Sequence, residues 1–149
     1  MTATATEFKG FNGIYTIQND DTGEYRTFSV RRQKDDARFA PGERIAALLT
    51  GRDNENDYTC FAFVRSDASL ATWKSKRGGA FDHYARMLEK ALLIFAGAES
   101  ETATAALAYG PNKYTVALAK RCYRCNRTLT TPESIRLGYG PDCAEKLGL

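Results

Sequence analysis

Apolar and polar positions alternate along two pairs of runs in the first half of the 149-residue chain, and a period of two predicts strands. Residues 11–19 and 24–32 flank Asp20, Asp21, Thr22 and Gly23, so they read as a hairpin closed by an Asp/Gly turn. In the second arm Tyr25, Thr27, Ser29 and Arg31 face one way, and Arg26, Phe28, Val30 and Arg32 the other. Neither face is cleanly apolar, which places this strand near a sheet edge. A charged loop at 33–38 and the Pro41-Gly42 turn lead to a second hairpin, with arms at 44–50 and 57–65 and a longer tip at 51–56. Ala and Leu between Glu43 and Leu49 also suit a short helix. The strand is preferred because Tyr58 to Val64 needs a partner.

The period then changes. After a polar connector at 67–79, Phe81, Ala85, Leu88, Leu92 and Phe95 recur at spacings of four and three, which predicts a helix over about 80–96 covering one sheet face. Asp82, Arg86, Glu89 and Lys90 gather on its opposite side, and Gly97 stands where a left-handed stop belongs. From 99 to 119 the signal weakens: Tyr109 to Asn112 is a turn, and Tyr114 to Ala119 reads as a strand, with a helix as the alternative.

Composition changes this picture little. Hydrophobic residues make up 43% and charged residues 26%, which is globular usage, and no apolar tract is long enough to cross a bilayer. The first residues lack the basic and apolar parts of a secretory signal, so a cytosolic location is expected. Charge is more informative once divided. The net +3 falls entirely on residues 120–149, where Lys120, Arg121, Arg124, Arg127, Arg136 and Lys146 outnumber Glu133, Asp142 and Glu145. An excess on one short module points weakly to an anionic partner.

That module also holds three of the four cysteines. Cys122 and Cys125 have the Cys-x-x-Cys spacing that supplies two ligands to one metal from a single bend, and Asn126 tolerates the positive φ such a bend requires. Downstream, Thr131 caps a short helix with Pro132 in its first turn and Gly138 at its end. Pro141 opens a final helix with Cys143 in its first turn. A knuckle followed by a ligand on a helix is treble-clef-like logic, and in a reducing compartment it predicts a metal before a disulfide. The fourth donor stays open among Cys60, His83, Asp142, Glu145 and water. Cys60 on its strand reads first as a small buried core residue, and His83 as a surface or half-buried one.

The pattern Cys122-x-x-Cys125-x-Arg127-x-Leu129-Thr130, with Ser134 and Gly138-Tyr139-Gly140-Pro141-x-Cys143, resembles a small zinc-ribbon-like domain of unknown function. That domain recurs at the ends of actinobacterial and bacteriophage proteins and beside helicase-type nucleic-acid enzymes. Segments 25–30 and 49–58 look like phage proteins that carry this ending. The resemblance implies zinc and a phage-linked context in a bacterial host cell; it implies no activity. Asn126 departs from it where glycine is usual.

Other constellations are weaker. Trp73, Lys74, Lys76 and Arg77 join an aromatic to three cations in one loop, a combination that can hold phosphates and stack on a base, or simply a solvated loop with its tryptophan anchoring the helix behind it. Residues 53–57 alternate oxygen-bearing side chains but lack the glycine and distal glutamate of a calcium loop, so a solvated tip is expected. One histidine and no paired carboxylates assemble no catalytic site.

The expectation is therefore an α+β protein. Residues 1–119 form an antiparallel sheet of two hairpins with one packed amphipathic helix, and residues 120–149 a zinc-binding module. The expected function is a non-enzymatic binding protein contacting nucleic acid through Trp73, Lys74, Lys76, Arg77, Arg121, Arg124 and Arg127, with Cys122, Cys125 and Cys143 on zinc. The alternative is a protein-interaction module, such as a phage factor binding a host protein, in which zinc is purely structural. Neither a membrane nor a small-molecule substrate is expected.

Overall fold

Strands form where β-branched and aromatic residues alternate with polar ones, and they assemble into a single antiparallel sheet of seven. The computed structural model describes residues 12–96 and 104–149. In chain order the sheet holds β1 (Gly13–Asn19), β2 (Tyr25–Arg32), β3 (Arg44–Leu49), β4 (Tyr58–Val64), β5 (Leu70–Thr72), β6 (Thr104–Tyr109) and β7 (Asn112–Leu118). Their spatial order is β5-β4-β3-β2-β1-β7-β6. Both expected hairpins are present, and β3 is a strand rather than a short helix. The 114–119 segment is also a strand, paired to β1 with Thr16 opposite Ala117. Two strands were not anticipated: β5, only three residues long, and β6, in the stretch of weak signal.

Helix α1 (Ala80–Ala96) leaves the β5 edge and touches both β5 and β6, so it spans one face of the sheet. Ala85, Leu88, Leu92 and Phe95 of its apolar stripe are buried, and Phe81 packs partly buried beside them. Opposite them stand Tyr15, Ile17, Phe28, Val30, Leu48 and Val116. A bulge beside Ala46 and Ala47 places adjacent Phe61 and Ala62 in the same core. Residues such as Leu88 and Leu92 each contribute about 1.5–3 kcal/mol through burial. The predicted stop at Gly97 and the chain's first eleven residues lie outside the described residues. Among the described residues, no helix is long and apolar enough to cross a membrane.

The polar side of α1 does more than face solvent. Glu89 accepts a hydrogen bond from the Leu70 amide at 2.7 Å, while Arg86 donates to the Leu70 carbonyl at 3.0 Å. Arg86 and Glu89 also pair with each other at 3.2 Å. Helix side chains thus cap the outward amide and carbonyl of Leu70, and Arg77 donates to the Thr72 carbonyl, which blocks further strand addition at β5.

The reading of β2 as an edge strand is wrong: it lies inside the sheet, between β1 and β3. Its mixed polarity has another cause. Thr27 and Ser29 are buried, with Thr16 of β1, on the face turned away from α1. That face is covered in part by the carboxy-terminal module.

Candidate metal centre

The module is built from β8 (Lys120–Arg121), β9 (Thr128–Leu129), α2 (Pro132–Leu137) and α3 (Pro141–Leu147). Strands β8 and β9 pair antiparallel, and the chain between them is the knuckle. Two backbone bonds close it, from the Cys122 amide to the Arg127 carbonyl at 2.8 Å and from the Asn126 amide to the Cys122 carbonyl at 2.9 Å. Asn126 takes φ +65°, the left-handed conformation expected of it. Helix α2 is capped by the Thr131 hydroxyl, which accepts from the Ser134 amide, and it ends on Gly138 at φ +87°. Only glycine fits there, because a Cβ would lie 2.6 Å from the Tyr123 ring. The Tyr123 amide donates to the Gly138 carbonyl at 3.0 Å, tying the knuckle to the α2–α3 connection. That connection brings Pro141 to the first turn of α3, with Cys143 two residues on.

As a result the sulfurs of Cys122, Cys125 and Cys143 lie within 4.8 Å of one another. Sulfurs sharing a tetrahedral ion at a metal–sulfur length of about 2.3 Å stand about 3.8 Å apart, so the triangle has the size a metal ion needs. Cys122 and Cys143 are buried and Cys125 is exposed. The backbone amide of Cys125, followed by those of Gly140 and Arg124, points at the Cys122 sulfur and brings its thiol down to about 6 against the cost of desolvation. Cys143 behaves differently. The Arg124 guanidinium, 3.6 Å from its sulfur, pulls its pKa down, but desolvation and the neighbouring Cys125 and Cys122 sulfurs outweigh it, and the thiol is raised. The three cysteines can hold a metal ion.

Among the described residues none of the four suggested fourth donors joins this group. Cys60 is not the buried core residue expected. It is exposed on β4 opposite Ala47, on the sheet face away from α1, because the bulge turns Phe61 inward instead. His83 is exposed on α1, its ring beside Tyr84 and Tyr109, on the other side of the sheet. Asp142 lines a cleft next to the cysteines, and Glu145 is exposed on α3.

What fastens the module to the sheet is a set of residues that sequence reasoning missed. The carbonyl of Thr130 accepts hydrogen bonds from the hydroxyls of Thr16 and Thr27, and those hydroxyls lie 3.0 Å from each other. Asn54, in the β3–β4 turn, donates to the Thr128 carbonyl at 3.0 Å and to the Thr130 hydroxyl at 3.2 Å. The Thr128 hydroxyl donates to Glu55. The tip expected to be merely solvated is therefore a clasp. Asp53 shapes it from within, accepting from the Glu55 amide and the Asn56 side chain, each at 2.9 Å, and Asn56 holds its carboxyl below the usual value. Thr27 and Ser29 alternating with core residues carry this message only once β2 is known to lie inside the sheet, where buried polar residues imply a polar partner across that face. Ala117 of β7 packs with Cys122, Leu129, Ile135 and Cys143 in a small second core.

The expected cationic residues fall in two places. Arg124 and Arg127 line a cleft of about 650 Å³ with Cys125 and Cys143, facing Arg52 and Glu55 of the clasp. Arg121 sits at the knuckle's other side, its guanidinium donating to the Asn126 carbonyl at 3.1 Å. Trp73, Lys74, Lys76 and Arg77 are elsewhere, beyond β5 at the far edge of the sheet. The Trp73 ring meets Phe39 at 5.5 Å and Phe63 at 5.4 Å between centroids, rather than the helix behind it. Lys76 lies over the Phe81 ring, and Arg77 donates to the Thr72 carbonyl.

No curated protein and no solved structure matches the chain. Residues 116–148, which span the end of β7 and nearly all of the cysteine module, match a family of unknown function (DUF6011).

Proposed function

We propose that the protein is a non-enzymatic, zinc-containing binding protein that contacts nucleic acid through its cysteine module. The observation that carries this reading is the state of the knuckle arginines. Arg121, Arg124 and Arg127 are exposed, and among the described residues no carboxylate pairs with them; the two ion pairs present are Arg32–Asp35 and Arg86–Glu89. Between them Tyr123 exposes 73% of its surface, edge-on to Tyr139. Arg124 also reaches the Cys143 sulfur, but among the described residues Arg121 and Arg127 have neither a carboxylate nor a thiolate partner, and such cations around an exposed aromatic suit a phosphate backbone with a stacked base. Zinc is preferred as the ion because thiolates from one tight bend and one helix are its usual structural donors. The Trp73 loop forms a second patch. Four strand spacings separate β5 from β1, so a ligand reaching both must extend over roughly 19 Å.

Tyr123, Leu137 and Leu147 also favour a second reading, because they leave apolar surface exposed on the module. Here zinc only staples the fold and the module docks on another protein. The resemblance of the ending to phage proteins supports a host protein as that partner, and the bacterial cytoplasm as the location.

A salt titration separates the two. Nucleic-acid binding should weaken steeply with salt, and replacing Arg121, Arg124 and Arg127 with Ala should lower the log–log slope by roughly two to three. The metal content of that variant, measured by elemental analysis, shows whether its site is intact. Cys143→Ser should lose about one zinc per chain. Protein that retains neither DNA nor RNA at low salt would favour the docking module.

A further inference from the structure

We infer that the fourth coordination position of the cysteine centre is open to an exogenous small anion, which reaches it through the cleft between the knuckle and the β3–β4 turn. This rests on the zinc reading above. A closed structural site has four protein ligands, whereas three ligands leave an exchangeable position. Three sulfurs converge here, and among the described residues no fourth cysteine, histidine or carboxylate joins them. Cys122 is buried, while exposed Cys125 and the edge of Cys143 line the cleft, so the centre's accessible side is turned toward it.

The cleft is held open rather than collapsed. Asn54 fixes one wall to the other through Thr128 and Thr130, and Glu55 repeats the link through the Thr128 hydroxyl. Its charge also suits an incoming anion. A divalent ion with three thiolates carries one net negative charge, and a fourth anion adds another. The three backbone amides aimed at the Cys122 sulfur and the Arg124 guanidinium at the Cys143 sulfur disperse the first. Arg52, Arg127 and Lys146 in the walls are available for the second. The walls also carry three carboxylates, Asp53, Glu55 and Asp142, against the four cations Arg52, Arg124, Arg127 and Lys146, which leaves the lining with one net positive charge. The ligand class is a monodentate anionic donor of the size of azide or a carboxylate group.

Cobalt substitution tests this on the full chain, since tetrahedral cobalt reports its ligands in the visible spectrum and zinc does not. Sulfur-to-cobalt charge-transfer bands should appear on loading. Azide should then shift the d–d bands saturably with one site per chain, and Arg127→Ala should weaken that response several-fold. Asp142→Asn should leave the azide-free spectrum unchanged. A cobalt protein with thiolate bands but no azide response would overturn the inference, because a group of the protein then fills the position. A changed azide-free spectrum in Asp142→Asn would overturn it too, by naming that group. Absence of the thiolate bands altogether would instead remove the zinc reading and the inference with it.

Discussion

Cys122 and Cys143 share one metal-sized triangle yet hold their protons differently, and the difference is set by what points at each sulfur. Backbone amides lower Cys122 to about 6, so at neutral pH it is a thiolate without any metal. Cys143 has one guanidinium in its favour and two sulfurs plus desolvation against it, so it keeps its proton. A metal must displace that proton to bind. Apparent affinity should therefore rise with pH through neutrality, by about tenfold per unit for each proton displaced, and fall further below about pH 6, where Cys122 also protonates. Competition against a chelator across this range checks the sign. An affinity independent of pH would mean that all three cysteines are already ionised in the free site. The knuckle's spacing, the left-handed Asn126 and the glycine at 138 were legible in sequence because each is a local requirement of one turn. The proton asymmetry was only partly so: the Cys125 amide that contributes most at Cys122 belongs to the knuckle, but the Gly140 amide and the sulfurs crowding Cys143 come together only in the fold.

Elements show the same division between local and distant causes. The stripe from Phe81 to Phe95 announced α1 because a helix carries its periodicity in its own residues. Strand β5 announced nothing: three residues hold no period, and its outer edge is completed by Glu89 and Arg86, which look like ordinary solvent-facing charges. Glu89→Ala should leave the Leu70 amide without its acceptor on a partly buried edge, costing about 1–3 kcal/mol locally. Amide exchange at Leu70 should accelerate while Phe28 and Val30 in the interior strand remain protected. Equal acceleration at all three would mean that β5 opens only with the whole sheet. Strand β2 was misplaced for a related reason. Its buried Thr27 answers to Thr130, about a hundred positions later in the chain, and no local pattern distinguishes a buried polar contact from a solvated edge.

At the scale of the whole molecule the chain builds two apolar cores on the two faces of one sheet. The larger lies between the sheet and α1, and the smaller gathers Ala117, Leu129 and Ile135 around the buried cysteines. The polar row of Thr16, Thr27 and Thr130, with the Asn54 clasp, binds the smaller to the sheet. Hydroxyls buried there cost about 1–3 kcal/mol each if left without partners, so docking is favoured as long as Thr130 keeps its place. The smaller core is too slight to set that place alone, and two of its members are cysteines of the candidate metal centre. Chelation should therefore loosen β9 and the clasp together: amide exchange should rise at 128–130 and at 53–57, and hardly at all in α1 or at Phe28. Asn54→Ala should imitate part of this with the metal still bound, destabilising the docked module by about 1–3 kcal/mol through its two lost hydrogen bonds. If chelation instead unfolds the sheet cooperatively, the two cores are one folding unit and the metal stabilises all of it. If Asn54→Ala leaves exchange at 128–130 unchanged, the threonine row suffices to dock the module.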